Sequence, residues 1–380
     1  MNVTANTTLP TPPELSYCGP GLDHFHATYR GVHGYVSLLV CVFGSVANVL
    51  NIAVLTRREM TSPTNAILTG LAVADLLVMI EYIPFACHMY LPQRPKRERY
   101  SYGWALFVLL HAQVSQVFHT ISIWLTVTLA VWRYIAVAHP QRNREWCGMQ
   151  RTLAAIAAGY ICCPLLCIPL YLAFEIEPKI ALLGEDGNDA MPNSTTGQNT
   201  TLYVVDLSEM GKANNNLLMD VNFWVYSVVI KIIPCIALTV LSLRLICALL
   251  DTKRRREMLT SSSSRKSTRV MEKERQTDRT TKMLLAVLLL FLLTEFPQGI
   301  LGVLSVVLGQ RFFRDCYNKL GEVMDILALI NSAINFILYC AMSRQFRTTF
   351  TVMFRPRWMP VPQVDANGHN NHTTTQVTQV

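Results

Sequence analysis

Seven apolar blocks, each long enough to cross a lipid bilayer, limit what this chain can fold into. They run over 33–56, 66–91, 104–138, 153–174, 223–250, 283–308 and 320–342. A helix rises about 1.5 Å per residue, so roughly 20 apolar residues cross the hydrocarbon. A soluble chain of 380 residues would spread its 51% hydrophobic content over short periodic elements, whereas here it is concentrated in long runs. Backbone polar groups inside lipid need partners within the segment, so the blocks are predicted to be helices. The expected fold is an all-α membrane protein, a seven-transmembrane helix bundle. No internal repeat stands out, which argues against a transporter built from duplicated halves.

The third block is too polar to be a lipid-facing rod. Ser115, Gln116, His119, Thr120, Ser122, Thr126 and Thr128 dot it, and Trp132, Arg133 and Tyr134 close it. An arginine keeps its charge, so Arg133 needs water, a polar cavity or a partner at that membrane face. This helix is predicted to be interior, its outer half lining a wet cavity.

Charge sets the orientation. Arg57 and Arg58 mark the first connector, Arg142, Arg144 and Arg151 the third, and ten basic residues between Lys253 and Arg279 the fifth. Arg344, Arg347, Arg355 and Arg357 follow the last block, so these segments are predicted to be cytoplasmic. The second connector, with Arg94, Lys96, Arg97 and Arg99, runs against the rule. Glycosylation sequons at Asn2, Asn6, Asn193 and Asn199 all fall on the opposite side, which resolves the conflict. The sequon at Asn371 lies in the predicted cytoplasmic tail and is expected to stay unmodified. The expected topology is an extracellular N-terminus and a cytoplasmic C-terminus, with the first span serving as insertion signal.

The expected organisation follows from these spans. Residues 1–32 form a glycosylated extracellular leader, 33–342 the transmembrane domain, 343–356 an amphipathic helix on the inner leaflet, and 357–380 a disordered tail. The amphipathic stretch is marked by Phe346, Phe350 and Phe354 recurring every four residues among arginines. Pro164, Pro169, Pro234 and Pro297 are kink candidates. The segment 175–222 carries eight acids against Lys179 and Lys212, and is predicted to be an anionic collar. Such a collar raises the local concentration of a cationic ligand, mostly as a rate effect.

Asn48, Leu71 with Ala72 and Asp75, Arg133 with Tyr134, Pro234, Pro297, and Asn335 with Tyr339 occur in order with the right spans between them. In this the chain resembles the rhodopsin-like (class A) family of G-protein-coupled receptors, over about 35–354. It departs from that pattern at several places. Trp132 stands where the family has an acid, Phe336 where it has a proline, Glu295 where it has a tryptophan, and Ser242 where it has a tyrosine. Val108 replaces the cysteine at the top of the third helix, and the second external loop has no cysteine to pair with it. Trp132-Arg133-Tyr134 and the stretch from Asn331 to Phe336 look like the invertebrate myosuppressin receptors and their relatives for RFamide-type peptides.

The resemblance implies roles. Arg133, Tyr134, Asn335 and Tyr339 would form the switch that meets a heterotrimeric G protein. With no acid at 132, Glu274 and Asp278 are the candidate restraints on Arg133; the plain alternative is an arginine snorkelling to the interface. Asp75, Ser122, Asn331 and Asn335, with Ser332 beside them, would form an allosteric sodium pocket, since hard oxygens suit such a cation. A water-filled polar network or a protonated Asp75 is the other reading. Glu295 is either neutral through desolvation or paired with a cation, His119 being the candidate partner across the bundle. The peptide cavity is expected among Glu81, His111, Ser115, Gln116, His119, Phe223, Glu295, Glu322 and Asp325. A buried carboxylate clamps a guanidinium through two hydrogen bonds, and Asp325 and Glu81 are the first candidates for that role.

Of eleven cysteines only Cys18 and Cys316 lie clearly outside, and a bridge between them is expected in an oxidising compartment. The others read as apolar fillers. Serines and threonines from Thr260 to Thr268, and Thr373 to Thr375, are candidate phosphorylation sites. The ending Thr378-Gln379-Val380 fits capture by a PDZ protein. The implied partners are an amidated peptide, an inhibitory-class G protein, arrestin, receptor kinases and membrane lipids, with no nucleic acid. A class A receptor for a different peptide is the alternative. A channel, a transporter or a membrane enzyme is the distant one, and no metal-ligand cluster, nucleophile–base pair or phosphate-cradling loop supports it. Ser115 in place of an aspartate argues against a monoamine ligand, and the seventh block holds no lysine for a retinal Schiff base.

Overall fold

The computed structural model describes residues 17–91, 94–189, 197–260 and 268–354. Asn2, Asn6, Asn193, Thr378, Val380, most of the hydroxyl-rich stretch 260–268 and the tail from 355 lie outside the described residues. So do the side chains of Glu274 and Asp278.

Among the described residues seven helices are long and apolar enough to cross a membrane. They are α1 (Gly19–Leu55), α2 (Pro63–Met89), α3 (Tyr102–Ala138) and α4 (Met149–Leu166, continued by Ile168–Ala173). Next come α5 (Glu209–Trp224 through Ile233–Thr260), α6 (Thr268–Val307) and α7 (Gly321–Ala333 with Asn335–Met342). A shorter α8 (Arg344–Phe354) follows. Large apolar side chains such as Leu39, Leu293 and Val307 face outward, and the polar side chains turn inward, as suits a bundle solvated by lipid.

The start of α1 and the packing of α8 differ from the sequence reading. α1 starts at Gly19 and not near 33, because Pro20 can open a helix and the following residues are tied down by side-chain contacts. Cys18 is bonded to Cys316 with a Cα–Cα distance of 5.7 Å, the Tyr17 ring meets Phe312 edge-on, and Asp23 pairs with Lys319. The expected bridge is present, and the second half of the expected leader is helix. In α8, Phe346 is 1% exposed. It packs with Val54, Leu55, Met60, Leu68 and Tyr339, so α8 spends its best aromatic on the bundle and not on lipid.

The segment read as an acidic collar is a β-hairpin. β1 (Phe174–Leu183) pairs antiparallel with β2 (Gln198–Leu207), with Phe174 opposite Leu207 and Glu175 opposite Asp206. The like-charged pair Glu175–Asp206 would repel across the strands. Lys179 offsets it by bonding Asp206 at 2.5 Å, and Lys212 by pairing with Glu177. Hydrogen bonds dock the hairpin where the family's disulfide is missing. Tyr203 N–H donates to the Tyr100 carbonyl at 2.8 Å, and Arg97 N–H to that of Gly187 at 3.1 Å. Lys96 also pairs with Asp189.

α5 is irregular at two places. Asn214, Asn215 and Asn216 all take positive φ, which asparagine tolerates better than other side chains, and this breaks its outer end. A π-helical segment, Val225–Ile232, then leads into Pro234. Proline donates no N–H to the carbonyl of Ile230, so the ladder is already open there. The extra residue per turn aims Lys231 into the bundle.

Candidate functional site

Polar side chains line the bundle in three tiers. In the outer tier, α2 contributes Glu81 and Tyr82, and α7 contributes Glu322 and Asp325. Glu81 pairs with His111 of α3, whose ring stacks on Phe85 at 3.9 Å. Glu322 lies 3.4 Å from His26 and 3.9 Å from Arg30 on the extended α1. Among the described residues Asp325 has no cation within ion-pair distance, though the His111 imidazole acts on it from farther off. Among the described residues the single hydrogen bond to Asp325 comes from the Tyr82 hydroxyl at 3.4 Å, which also lies 3.0 Å from His33 Nε2. The Phe223 ring packs edge-on against Phe313 and Tyr317 at 5.3 and 5.7 Å, forming an aromatic wall between α5 and the last external segment. Gln116 turns back to Thr120 on its own helix at 3.2 Å, and Ser115 is half-buried.

The middle tier centres on Glu295 of α6. The carboxylate pairs with Lys231 of α5, both side chains being 0% exposed. His119 Nε2 lies 3.1 Å from Glu295 Oε2 and 2.7 Å from Lys231 Nζ. One ring nitrogen cannot donate to the carboxylate and accept from the ammonium together, so the tautomer chooses between them. Asn331 of α7 donates to Oε1 at 3.3 Å. Of the two sequence readings of Glu295, pairing with a cation is what the geometry shows, with His119 in reach. The principal cation is Lys231, which the sequence reading missed. The signal was present: a lysine alone in an otherwise apolar stretch, three residues before Pro234, is an intramembrane charge in need of a partner.

Below it, Asp75 accepts from Ser122 Oγ at 2.8 Å and from Asn335 Nδ2 at 2.9 Å. Asn331, grouped with Asp75 in the sequence reading, instead spends its amide on Glu295 because it sits a turn higher on α7. The Ser332 hydroxyl lies close enough to act on the Asp75 carboxylate without making a well-formed hydrogen bond, and among the described residues the buried Asn48 carbonyl oxygen has no hydrogen-bond partner. The Asn48 amide bridges α1 to α7 through the Ser332 carbonyl at 3.1 Å.

In the inner tier, Arg133 interacts electrostatically with the buried Tyr339, and among the described residues no carboxylate pairs with it. Trp132 does not stand in for the missing acid. Its indole N–H donates to Thr152 of α4 at 2.9 Å, so it points away from the bundle axis. Tyr134 meets the His139 ring edge-on at 6.1 Å, and Asn335 and Tyr339 lie on one segment of α7 beside Arg133's end of the bundle. Elsewhere, the carboxylates of Glu175, Glu177 and Glu209 cluster within 4.8 Å on the outer surface, where Lys212 already neutralises one of them.

Among the described residues the arrangement shows no reacting constellation; its buried polar side chains recur at three depths along the bundle. Comparisons with known proteins agree. The family described as serpentine type 7TM GPCR chemoreceptor Srw aligns with residues 35–357. The chain is 33% identical over 362 residues to the G-protein coupled receptor dmsr-1 of Caenorhabditis elegans, covering 86% of this chain and 69% of that protein. It is 28% identical over 333 residues to the sex peptide receptor of Drosophila melanogaster, covering 86% and 73%. To the FMRFamide receptor of the same fly it is 24% identical over 343 residues, covering 88% and 56%. The chain belongs to the rhodopsin-like seven-transmembrane G-protein-coupled receptors, a family of receptors and not of enzymes.

Proposed function

We propose that this receptor binds an amidated neuropeptide of the RFamide type, a myosuppressin-like peptide foremost, and drives nucleotide exchange on inhibitory-class G proteins. The carrying observation is Asp325. Of the acids Glu81, Glu322 and Asp325, the first two have cationic neighbours within ion-pair distance, whereas Asp325 has one long hydrogen bond and no ion pair among the described residues, and the imidazole that acts on it electrostatically, His111, is already held by Glu81. A desolvated carboxylate of this kind gains most from an incoming guanidinium, and the aromatic wall at Phe223, Phe313 and Tyr317 suits the neighbouring phenylalanine. Likeness to the FMRFamide receptor supports the ligand class.

The same reading places the protein in the plasma membrane with its N-terminus outside. Asn2, Asn6, Asn193 and Asn199 would be glycosylated, arrestin and receptor kinases would act at the inner face, and Thr378 to Val380 would engage a PDZ protein. Sodium at Asp75, with the Ser122 and Ser332 hydroxyls as oxygen ligands, would favour the resting state. A second reading, a peptide of another sequence, is supported by the greater identity to the sex peptide receptor than to the FMRFamide receptor.

A panel of amidated peptides and their free acids, applied to cells expressing the receptor, tests the proposal through G-protein nucleotide exchange. Asp325→Asn should reduce the potency of an Arg-Phe-amide peptide by about 30-fold or more, the scale of losing one partner of a buried charge pair. Replacing the peptide's arginine by citrulline should cost as much, and the two losses should not add. If the citrulline peptide is as potent as its parent, the guanidinium reading fails.

A further inference from the structure

Lys231 and Glu295 form the one ion pair among the described residues in which both side chains are fully buried. A pair taken out of water loses two hydration shells, so apolar residues of similar volume are often as stable in its place. Its value to the molecule is therefore to be sought in what it holds together. Glu295 alone touches Lys231 on α5, His119 on α3 and Asn331 on α7, so one carboxylate of α6 ties four helices at a single depth.

The surroundings make this tie tight and breakable. α6 approaches α5 closely: a Cβ on Gly302 would fall 1.9 Å from Ser227 Oγ, and one on Gly299 would fall 3.1 Å from the Lys231 Cβ. Pro297, two residues beyond Glu295, leaves the carbonyl of Leu293 without its helical donor, so α6 bends easily next to the pair. Each member also has a second partner. Lys231 has His119 Nε2 at 2.7 Å and the Tyr226 ring at 5.4 Å, and Glu295 has His119 and Asn331. A pair whose members can each fall back on another group has a second arrangement open to it in which neither charge is left bare, which is what a switch needs.

We propose that the Lys231–Glu295 pair is the latch of the resting receptor: intact, it holds α6 against α5 and α3, and its opening accompanies opening of the cytoplasmic cleft. The direction follows from the geometry, since a link joining three helices opposes any motion that separates them. Among the described residues no carboxylate pairs with Arg133, so the Lys231–Glu295 pair is the interhelical charge link that the described core offers. The latch rests on the G-protein-coupled family and not on the identity of the peptide.

The test therefore uses no peptide. Full-length receptor in membranes is assayed for nucleotide exchange on a mixture of heterotrimeric G proteins, per receptor copy. Glu295→Gln and Lys231→Met should each raise basal exchange by about 3- to 10-fold, a shift of about 1 kcal/mol in a two-state equilibrium. The exchanged pair, Lys231→Glu with Glu295→Lys, should return it to within about twofold of wild type, by the coupling logic of a double-mutant cycle. Should the single variants fail to reach the membrane, Lys231→Met with Glu295→Met removes both charges, and it too should show raised basal exchange. Variants present at normal copy number with unchanged or lowered basal exchange would overturn the latch. So would an exchanged pair that folds normally but stays active without agonist.

Discussion

Asp75 shows how little slack a buried carboxylate has at the centre of a bundle. Its two oxygens are served separately, one by Ser122 and one by Asn335, and the Ser332 hydroxyl nearby makes no well-formed bond that could replace either. Removing one donor leaves an acceptor desolvated and unpaired, at a cost of about 1–3 kcal/mol. Ser122→Ala should therefore lower the melting temperature of the purified receptor by several degrees, while Ser45→Ala, whose hydroxyl has no partner, should change it little. If sodium sits at Asp75, the melting temperature of wild type should also rise with sodium but not with a larger organic cation. Asp75→Asn should abolish that difference. Arg133 is positioned differently, facing the inner end with Tyr339, and Arg133→Gln should abolish agonist-driven exchange while leaving peptide binding in place.

At the scale of elements, three devices hold what the transmembrane helices alone would not. The Cys18–Cys316 bridge, with Asp23–Lys319 beside it, fastens the extended α1 to the segment before α7. Replacing both cysteines by serine should destabilise the receptor by about 2–4 kcal/mol in the chain-entropy picture. Hydrogen exchange should show the loss at 19–32 and 309–320, with the β-hairpin unaffected because its docking bonds go to 97–100. α8 is held by aromatic burial. Phe346→Ala removes a fully buried ring from the cluster with Tyr339 and should cost about 3–5 kcal/mol, read as lost amide protection across Arg344–Phe354. Sequence periodicity revealed α8 as amphipathic. It could not say which side meets the apolar face, because lipid and a protein groove attract the same phenylalanines.

For the whole molecule, the outer surface is tied by exposed ion pairs and the interior by buried ones, and the two respond differently to solvent. Asp206 is held below the usual carboxylate range, first by the Lys179 hydrogen bond and then by the N–H of Leu207. A depressed pKa contributes stability above the unfolded value, near 3.9, that is lost as pH falls through the folded value. Amide exchange in the hairpin should thus be flat between about pH 5 and 8, after correction for intrinsic rates, and should rise only below about pH 4. The effect should be small and should fade with salt, since the pair is largely exposed.

Length and apolarity alone determined that the chain crosses a membrane seven times, because unpaired backbone in lipid leaves no other fold open to such blocks. The sequence also exposed the functional thread, since Asp75, Arg133 and Glu295 are charges that an apolar span carries only with partners. Their partners were decided by tertiary structure. Lys231 lies 64 residues from Glu295 in the chain, in the π-helical segment of α5, and the packing of α5 on α6 brings the two together. Asn331 serves Glu295 and not Asp75 because of its height on α7, and the acidic loop became a docked hairpin through backbone hydrogen bonds that residue types do not announce. Spacing along one helix fixes which side chains share a face. Which face another helix presents depends on kinks, helix ends and packing, which exist only once the bundle has formed.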